Sequence, residues 1–242
     1  MRENTKVQET PANWLLARLP KKEYQSLVPR LDRVDLIFGE ALYNPGDKIK
    51  YVYFPESGVL SILAVEDQTT VELGMVGNEG MTGLPVFLEA PTSRARVIVQ
   101  GAGSALRLKA TDFLKACEHS ALLPRLMRRY TCYLMMQIGQ TAVCSRLHLI
   151  ESRLACLLLM MRDRMITDQF ELKHEFLSKI IGVSREAITI AAGNLQKQQL
   201  ISYSRGNLLI LDREGLKAAC CQCYKIVTAE YRDLFAAQKR LR

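Results

Sequence analysis

Residues 174–200, HEFLSKIIGVSREAITIAAGNLQKQQL, carry the side chains best suited to recognition chemistry. Arg185, Glu186, Thr189, Asn194 and Lys197 are polar, while Ile188, Ala191, Ala192 and Leu195 recur at helical spacing. A row of guanidinium, carboxylate, hydroxyl, amide and ammonium groups can meet charges and hydrogen-bonding edges. Other chemistry is poorly represented. There is no G-x-S-x-G elbow, no G-x-x-x-x-G-K-[ST] loop and no H-E-x-x-H pair. The series Gly77, Gly80, Gly83 is not the dinucleotide fingerprint. A metal-dependent β-barrel enzyme would need clustered imidazoles, and the stretch from Gly39 to Leu108 contains no histidine.

The thiols are a second chemistry to weigh. The seven cysteines include Cys220 and Cys223 at C-x-x-C spacing, with Cys221 between them. Zinc takes four ligands, usually from two such pairs, although a second chain could supply the missing two. Redox sensing is the other alternative. The preferred reading is packing within a C-terminal helix that also carries Tyr224, Ile226, Val227, Tyr231 and Leu234, and no metal site is expected. The odd cysteine count and the lack of an apolar signal core in MRENTKVQETPANW favour reduced thiols in a cytoplasmic protein. The longest purely apolar run, Leu154 to Met161, has eight residues, against about 20 for a membrane span. A net charge of +8 is compatible with nucleic acid but bears on association, not fold.

These groups need elements to hold them. Phe176, Leu177, Ile180 and Ile181 form one apolar set, and Gly182 is suited to ending that helix. Val183 plugs the turn, and Ser184 is a good N-cap for the next helix. The pair Ala191 and Ala192 allows the two helices to cross closely, which makes a helix-turn-helix. Beyond Leu200, two short strands flank Ser204-Arg-Gly-Asn, a hairpin with a basic tip, so the unit reads as a winged helix. Upstream, a second helix from about Leu149 to Arg164 presents Leu154, Leu157, Leu158 and Met161.

The N-terminal half is richer in β signals. All eight prolines lie at or before Pro124. Val71, Leu73 and Met75 alternate with Glu72 and Gly74; Val97 and Val99 alternate with Arg96, Ile98 and Gln100; Leu106 and Leu108 flank Arg107. Turn candidates recur at Asn44-Pro-Gly, Ser57-Gly, Glu66-Asp-Gln, Gly77-Asn and Gly101-Ala-Gly. Many short strands of this kind predict a barrel or jelly roll. A helix over Trp14 to Val28, with Leu15, Leu16, Leu19 and Leu27 as its apolar face, precedes it. A long helix over about Leu122 to Leu147 follows. One heptad register puts Leu123, Tyr130, Gln137 and Cys144 at one seam position and Met127, Leu134, Thr141 and His148 at the other. A two-helix dimer seam is the preferred reading over a helix buried in one subunit, because polar seam residues can fix register.

The order and motifs resemble the Crp/Fnr superfamily of bacterial transcription regulators. The matching stretches are Tyr51-Val-Tyr-Phe-Pro-Glu-Ser-Gly, Val76-Gly-Asn-Glu-Gly-Met-Thr-Gly, Ser145-Arg-Leu-His, Glu151-Ser-Arg-Leu-Ala, His174-Glu-Phe-Leu and Gly182-Val-Ser-Arg-Glu. The resemblance implies an α+β chain: a β-roll sensor (residues 12–118), a dimerisation helix (119–148) and a winged-helix DNA-binding domain with a C-terminal helix (149–242). It implies a non-enzymatic regulator that binds a palindromic operator on double-stranded DNA as a homodimer, with RNA polymerase as a further partner and no membrane. The seam would use Leu123, Met127, Tyr130, Leu134, Gln137 and Thr141.

By the same resemblance the second helix of the motif enters the major groove. Arg185 and Glu186 match base-reading or backbone-positioning places, where Arg pairs with guanine and Glu accepts from cytosine. Ser184, Thr189 and Ile190 join them; Ile190 stands where members often have a second arginine, so a methyl contact to thymine is the expectation there. Lys173, Lys179, Lys197 and Arg205 are phosphate-contact candidates. In nucleotide-binding members a turn and short helix cradle the phosphate. The turn Gly77, Asn78, Glu79, Gly80 lies near that place, with Glu79 matching a ribose-binding Glu. Ser93 occupies the expected arginine position and Arg94 falls one residue late, which on a strand reverses the face. Ile138 and Gly139 stand where members offer hydroxyls to the base. Cyclic nucleotide is therefore a disfavoured cofactor. An iron–sulfur sensor is disfavoured too, since the first cysteine is Cys117, and His119, His148 and His174 give a haem no ligand in the β-roll. The alternative to DNA is a sensing module whose helical part contacts a protein partner.

Overall fold

The computed structural model describes residues 10–67 and 69–236, without the side chains of 234–236. The N-terminal residues read for a signal, Gln68 of the Glu66 turn, the Leu234 side chain and residues 237–242 of the expected DNA-binding domain lie outside the described residues. The chain divides into two compact units. One is built on residues up to Ile62 and on Met75–Cys132, the other on Leu63–Gly74 and the chain from Tyr133 onward.

In the first unit the helix expected over Trp14–Val28 is broken. A 3-10 turn, Leu16–Arg18, is followed by α1, Lys21–Leu27. Leu19, ahead of Pro20, is extended at φ −66°, ψ 145°, because a proline pushes its predecessor out of the helical region. The four leucines of the expected face are buried all the same. The strands are β1 (Asp32–Leu36), β2 (Ala41–Tyr43), β3 (Tyr51–Glu66), β4 (Thr69–Val76) and β5 (Arg96–Lys109). They form one sheet of order β1-β5-β3-β4, with β1 and β2 both antiparallel to β5. Two strands are longer than expected, because Ser57-Gly and Gly101-Ala-Gly are not turns. Gly58 lies inside β3 at φ +84°, and a Cβ there would meet the Ala102 carbonyl oxygen at 2.9 Å. Glycine is needed where two strand backbones pass this closely.

The alternation predicted for β5 holds: Val97, Val99, Leu106 and Leu108 are buried, and Arg96 is exposed. That of β4 does not, since Glu72 is buried while Val71 and Leu73 are half-buried. This hairpin tip belongs to the second unit, where Val71 packs at Gly182. Helices α2 (Leu84–Phe87) and α3 (Ala110–His119) flank β5, and α4 (Leu123–Leu147) follows. Phe54 and Phe113, with ring centroids 6.2 Å apart, anchor the core beneath the sheet.

The second unit contains α5 (Ile150–Met165), β6 (Gln169–Glu171), α6 (His174–Ile181), α7 (Arg185–Lys197), β7 (Ile201–Ser204), β8 (Asn207–Ile210), α8 (Arg213–Ala219) and α9 (Gln222–Ala236). The strands pair in the order β6-β8-β7. Leu154, Leu157, Leu158 and Met161 of α5 are buried, as their spacing predicts. Cys156 on α5 and Cys220 at the end of α8 are joined by a disulfide, which corrects the expectation of reduced thiols throughout. Packing of α5 against α8 brings them together across 64 residues. No helix among the described residues is long and apolar enough to cross a membrane.

The seam predicted on α4 faces the wrong way. Leu123, Met127, Tyr130, Leu134 and Gln137 are buried in their own chain. The Tyr130 hydroxyl donates to the Met81 carbonyl at 3.0 Å. The Gln137 amide donates to the Tyr133 hydroxyl at 3.0 Å, and its other end fills the space left by Gly74, where a Cβ would come within 2.6 Å. Thr141 is half-buried and donates to the Gln137 carbonyl at 2.9 Å. Apolar periodicity marked the buried face of α4, and burial within one subunit took it. The exposed stripe is Arg128, Cys132, Met135, Gly139 and Ala142.

Candidate nucleic-acid interface

The turn between α6 and α7 is set by local chemistry. Gly182 adopts φ 72°, ψ 47°, the left-handed conformation that glycine reaches without a Cβ penalty. Its N–H and that of Val183 both donate to the Ser178 carbonyl, at 2.8 and 3.0 Å, closing the end of α6. Ser184 then caps α7, its hydroxyl accepting from the Ala187 N–H at 3.2 Å. Hydrogen bonds from its own backbone N–H and from the Ser184 hydroxyl hold the Glu186 carboxyl below the usual range. An anion at a helix N-terminus is also favoured by the dipole.

The buried face of α7 is Ile188, Ala191, Ala192 and Leu195. Ser184, Arg185, Glu186, Thr189, Ile190 and Lys197 are exposed, Ile190 by 65%. The first five gather at the start of α7. Lys197 does not join them: twelve residues further on, it stands about 18 Å along the helix from Arg185. Asn194 is half-buried.

The wing packs beside the start of α7. Arg205 and Gly206, at φ 51° and 87°, join β7 to β8; two consecutive positive φ values make the tight hairpin turn that matches strand twist. The Leu172 N–H donates to the Gly206 carbonyl at 2.7 Å. This brings the exposed Lys173 beside the wing tip, its Cγ lying 3.5 Å from a Cβ placed on Gly206. Lys179 sits apart, on α6, in an ion pair with Glu175 at 2.8 Å.

Two positioning residues were not singled out from the sequence. His174 stacks on Tyr203 of β7, with centroids 4.6 Å apart, and its Nδ1 lies 3.0 Å from the Thr189 hydroxyl. It thereby links wing and α7. Burial, then the Arg185 charge, pushes its pKa down. Arg153 donates to the Ile181 carbonyl at 2.5 Å, tying α5 to the end of α6. The spacing of neither residue advertises these contacts, since each partner lies in another element.

The expected effector residues do not converge as predicted. The short helix between β4 and β5 starts at Leu84, after Gly83, and its first turn has no acidic residue. Glu79 therefore stands ahead of it, buried, and accepts from the Gly77 N–H at 3.0 Å. The Asn78 and Gly80 carbonyls accept from the Trp14 N–H and the Asn13 amide. Ser93 is buried and donates to the Ala95 carbonyl at 2.6 Å, while Arg94 is exposed. On α4, Ile138 is half-buried and Gly139 exposed.

Comparison with known proteins places this geometry. A model of the Crp-like helix-turn-helix domain matches residues 152–219, and a cyclic nucleotide-binding domain model matches residues 37–120. FixK2 from Bradyrhizobium japonicum is similar at 16% identity and TM-score 0.67, over 79% of this chain and 98% of that one. A Crp/Fnr-family regulator from Eubacterium rectale is similar at 17% identity and TM-score 0.68, over 86% and 98%. A CRP-family regulator from Thermus thermophilus is similar at 16% identity and TM-score 0.65, over 77% and 95%. At these identities the structural likeness establishes the fold. No curated protein matches the chain.

Proposed function

Because this chain belongs to the Crp/Fnr family of DNA-binding transcription regulators, we propose that it binds a palindromic operator as a homodimer in the cytoplasm. The division of labour would be a regulatory β-roll over about residues 12–118, a connecting helix over 119–148 and a DNA-binding part over 149–242. RNA polymerase is the proposed further partner.

The observation that carries this reading is the exposed start of α7. Ser184, Arg185, Glu186, Thr189 and Ile190 stand clear of the core while the other face of the helix is buried. In this reading Arg185 and Glu186 meet base edges, Thr189 and Ile190 offer methyl groups, and Lys173 and Arg205 reach phosphates on the wing side. Lys197 meets the backbone at the far end, and Lys179 contributes from α6. A bidentate Arg–guanine pair discriminates by about 1–3 kcal/mol.

The dimer would use the exposed stripe of α4. Arg128, Cys132, Met135, Gly139 and Ala142 repeat at alternating four- and three-residue steps, as a two-helix seam requires. Gly139, with no atom within 4 Å of its Cβ position, permits a close crossing. The β-roll would respond to something other than a cyclic nucleotide. Two features support that: α2 lacks an acid in its first turn, and Glu79 is engaged with the Gly77 N–H.

The test is selection of DNA by the full chain from a random pool, at two salt concentrations, with and without cAMP and cGMP. A palindrome enriched without nucleotide supports both parts of the reading. Enrichment only with nucleotide overturns the β-roll part. Arg185→Ala should relax preference at one base pair about 10–100-fold. Lys197→Ala should weaken all sequences alike and lower the salt slope by about 0.9. If neither changes DNA affinity, the face belongs to a protein partner instead.

A further inference from the structure

Four ligand-bearing side chains, distant in sequence, meet at one point of the second unit. Cys144 and His148 lie one turn apart at the C-terminal end of α4. Cys221 and Cys223 lie two residues apart at the start of α9. The three Sγ atoms and the imidazole nitrogen all lie within 4.8 Å of one another. Cys144 Sγ is 3.5 Å from Cys221 Sγ, and Cys223 Sγ is 3.4 Å from His148 Nδ1. In a tetrahedral site with Zn–S near 2.3 Å and Zn–N near 2.0–2.1 Å, neighbouring ligand atoms stand about 3.5–3.8 Å apart. The two separations are close to edges of that tetrahedron.

We propose that Cys144, His148, Cys221 and Cys223 bind one zinc-type divalent ion per chain. Three thiolates and one imidazole are a donor set of closed, structural zinc sites. The imidazole distinguishes this cluster from one of thiols alone, since it adds a fourth donor that no disulfide would use. Cys156 Sγ is also near, 3.3 Å from Cys221 Sγ, but it is bonded to Cys220. The surroundings suit an ion as well. The Gln140 amide donates to Cys223 Sγ at 3.0 Å, the kind of outer hydrogen bond that orients a metal ligand. Binding as three thiolates releases three protons and leaves a net charge of −1 on the site. The Arg153 guanidinium is close enough to interact with Cys144 and Cys221 and offsets that charge. Cys223 is buried and the other three ligands are half-buried, so the ion can enter and is then sheltered. It ties the last turn of α4 to the start of α9. The proposal does not depend on what α7 contacts.

The full chain, reduced with a phosphine and stripped with a chelator, would be titrated with Co2+. The expected result is one ion per chain, with the visible bands of tetrahedral cobalt and a thiolate-to-cobalt charge-transfer band, both lost on adding Zn2+. Cys223→Ser and His148→Ala should each weaken binding by at least the 10–100-fold that outer-shell changes cost. Cys117→Ser and Cys132→Ser should leave it unchanged. Far-UV circular dichroism separates lost ligands from lost fold. A natively folded wild-type chain that shows no cobalt bands overturns the proposal. So does equal loss in the Cys117 or Cys132 variant. A Cys144–Cys221 disulfide in anaerobically purified protein, with no cobalt bands after reduction, would reassign the cluster to thiol oxidation.

Discussion

Gly182→Ala is the sharpest probe of the turn that aims α7. The substitution acts in three ways. At φ +72° a Cβ costs about 1–2 kcal/mol. Alanine also restricts the unfolded chain, which returns about 0.4–1 kcal/mol. The new methyl would stand 3.0 Å from Val71 Cγ2, a tight contact whose overpacking costs on the order of 1 kcal/mol. The sum is a net loss of about 1–2 kcal/mol in the second unit, or roughly 2–4 °C of Tm per kcal/mol. Urea unfolding of the full chain would be followed by two signals. The single tryptophan, Trp14, reports on the first unit, so the shift should appear in the helical circular dichroism and not in tryptophan fluorescence. Val71→Ala removes the overlapping methyls, so the double variant should recover about 0.5–1 kcal/mol relative to additivity. Two results would refute the reasoning. A Gly182→Ala chain as stable as wild type would mean that the turn is not left-handed. Strict additivity of the two substitutions would mean that Val71 does not pack at Gly182.

Three further outcomes are expected. Arg205→Gly relieves a positive φ of 51° and should stabilise the wing by up to about 1 kcal/mol, yet weaken DNA binding at every sequence; urea melts and filter binding would show the two effects moving in opposite directions. His174 has a pKa lowered by burial and then by Arg185, so its native form is neutral. Stability should be fully retained above its ordinary value of 6.5 and decline as pH falls through that value towards the folded pKa, because the unfolded chain takes up the proton first. His174→Gln should flatten that limb of the stability-versus-pH curve. If the α4 stripe is the dimer seam, the exposed Cys132 of two copies should be joined by a short bismaleimide, and Cys132→Ser should abolish the covalent dimer while leaving the mass in solution dimeric.

Much of the DNA-facing part was legible because its signals are local. Gly182 ends α6, Ser184 caps α7, and Ile188, Ala191, Ala192 and Leu195 face inward. Each depends on residues within a turn or two, where backbone conformation and hydrogen bonding follow from residue type. The wing was legible for the same reason, from Arg205 and Gly206. Asp212, whose carboxylate accepts from the Gly215 N–H at 3.0 Å, was an available cap signal for α8 that went unread. Three-residue β6 offers no period long enough to read.

The sequence by itself determined the order of the elements, the helix-turn-helix with its exposed polar row, and the resemblance that names the family. Those follow from short-range periodicity, capping and motif. Tertiary structure decided which side of α4 is free, where Glu79 spends its carboxylate, and which sulfurs meet. Apolar spacing marks a face for burial but cannot say whether a neighbouring chain or the chain's own residues will bury it; on α4 it was Tyr130 and Gln137 turning inward. Nor can spacing bring Cys144 to Cys221, 77 residues away. Only the packing of α4, α5 and α9 sets that distance, because ligand atoms separated by whole elements share no local geometry.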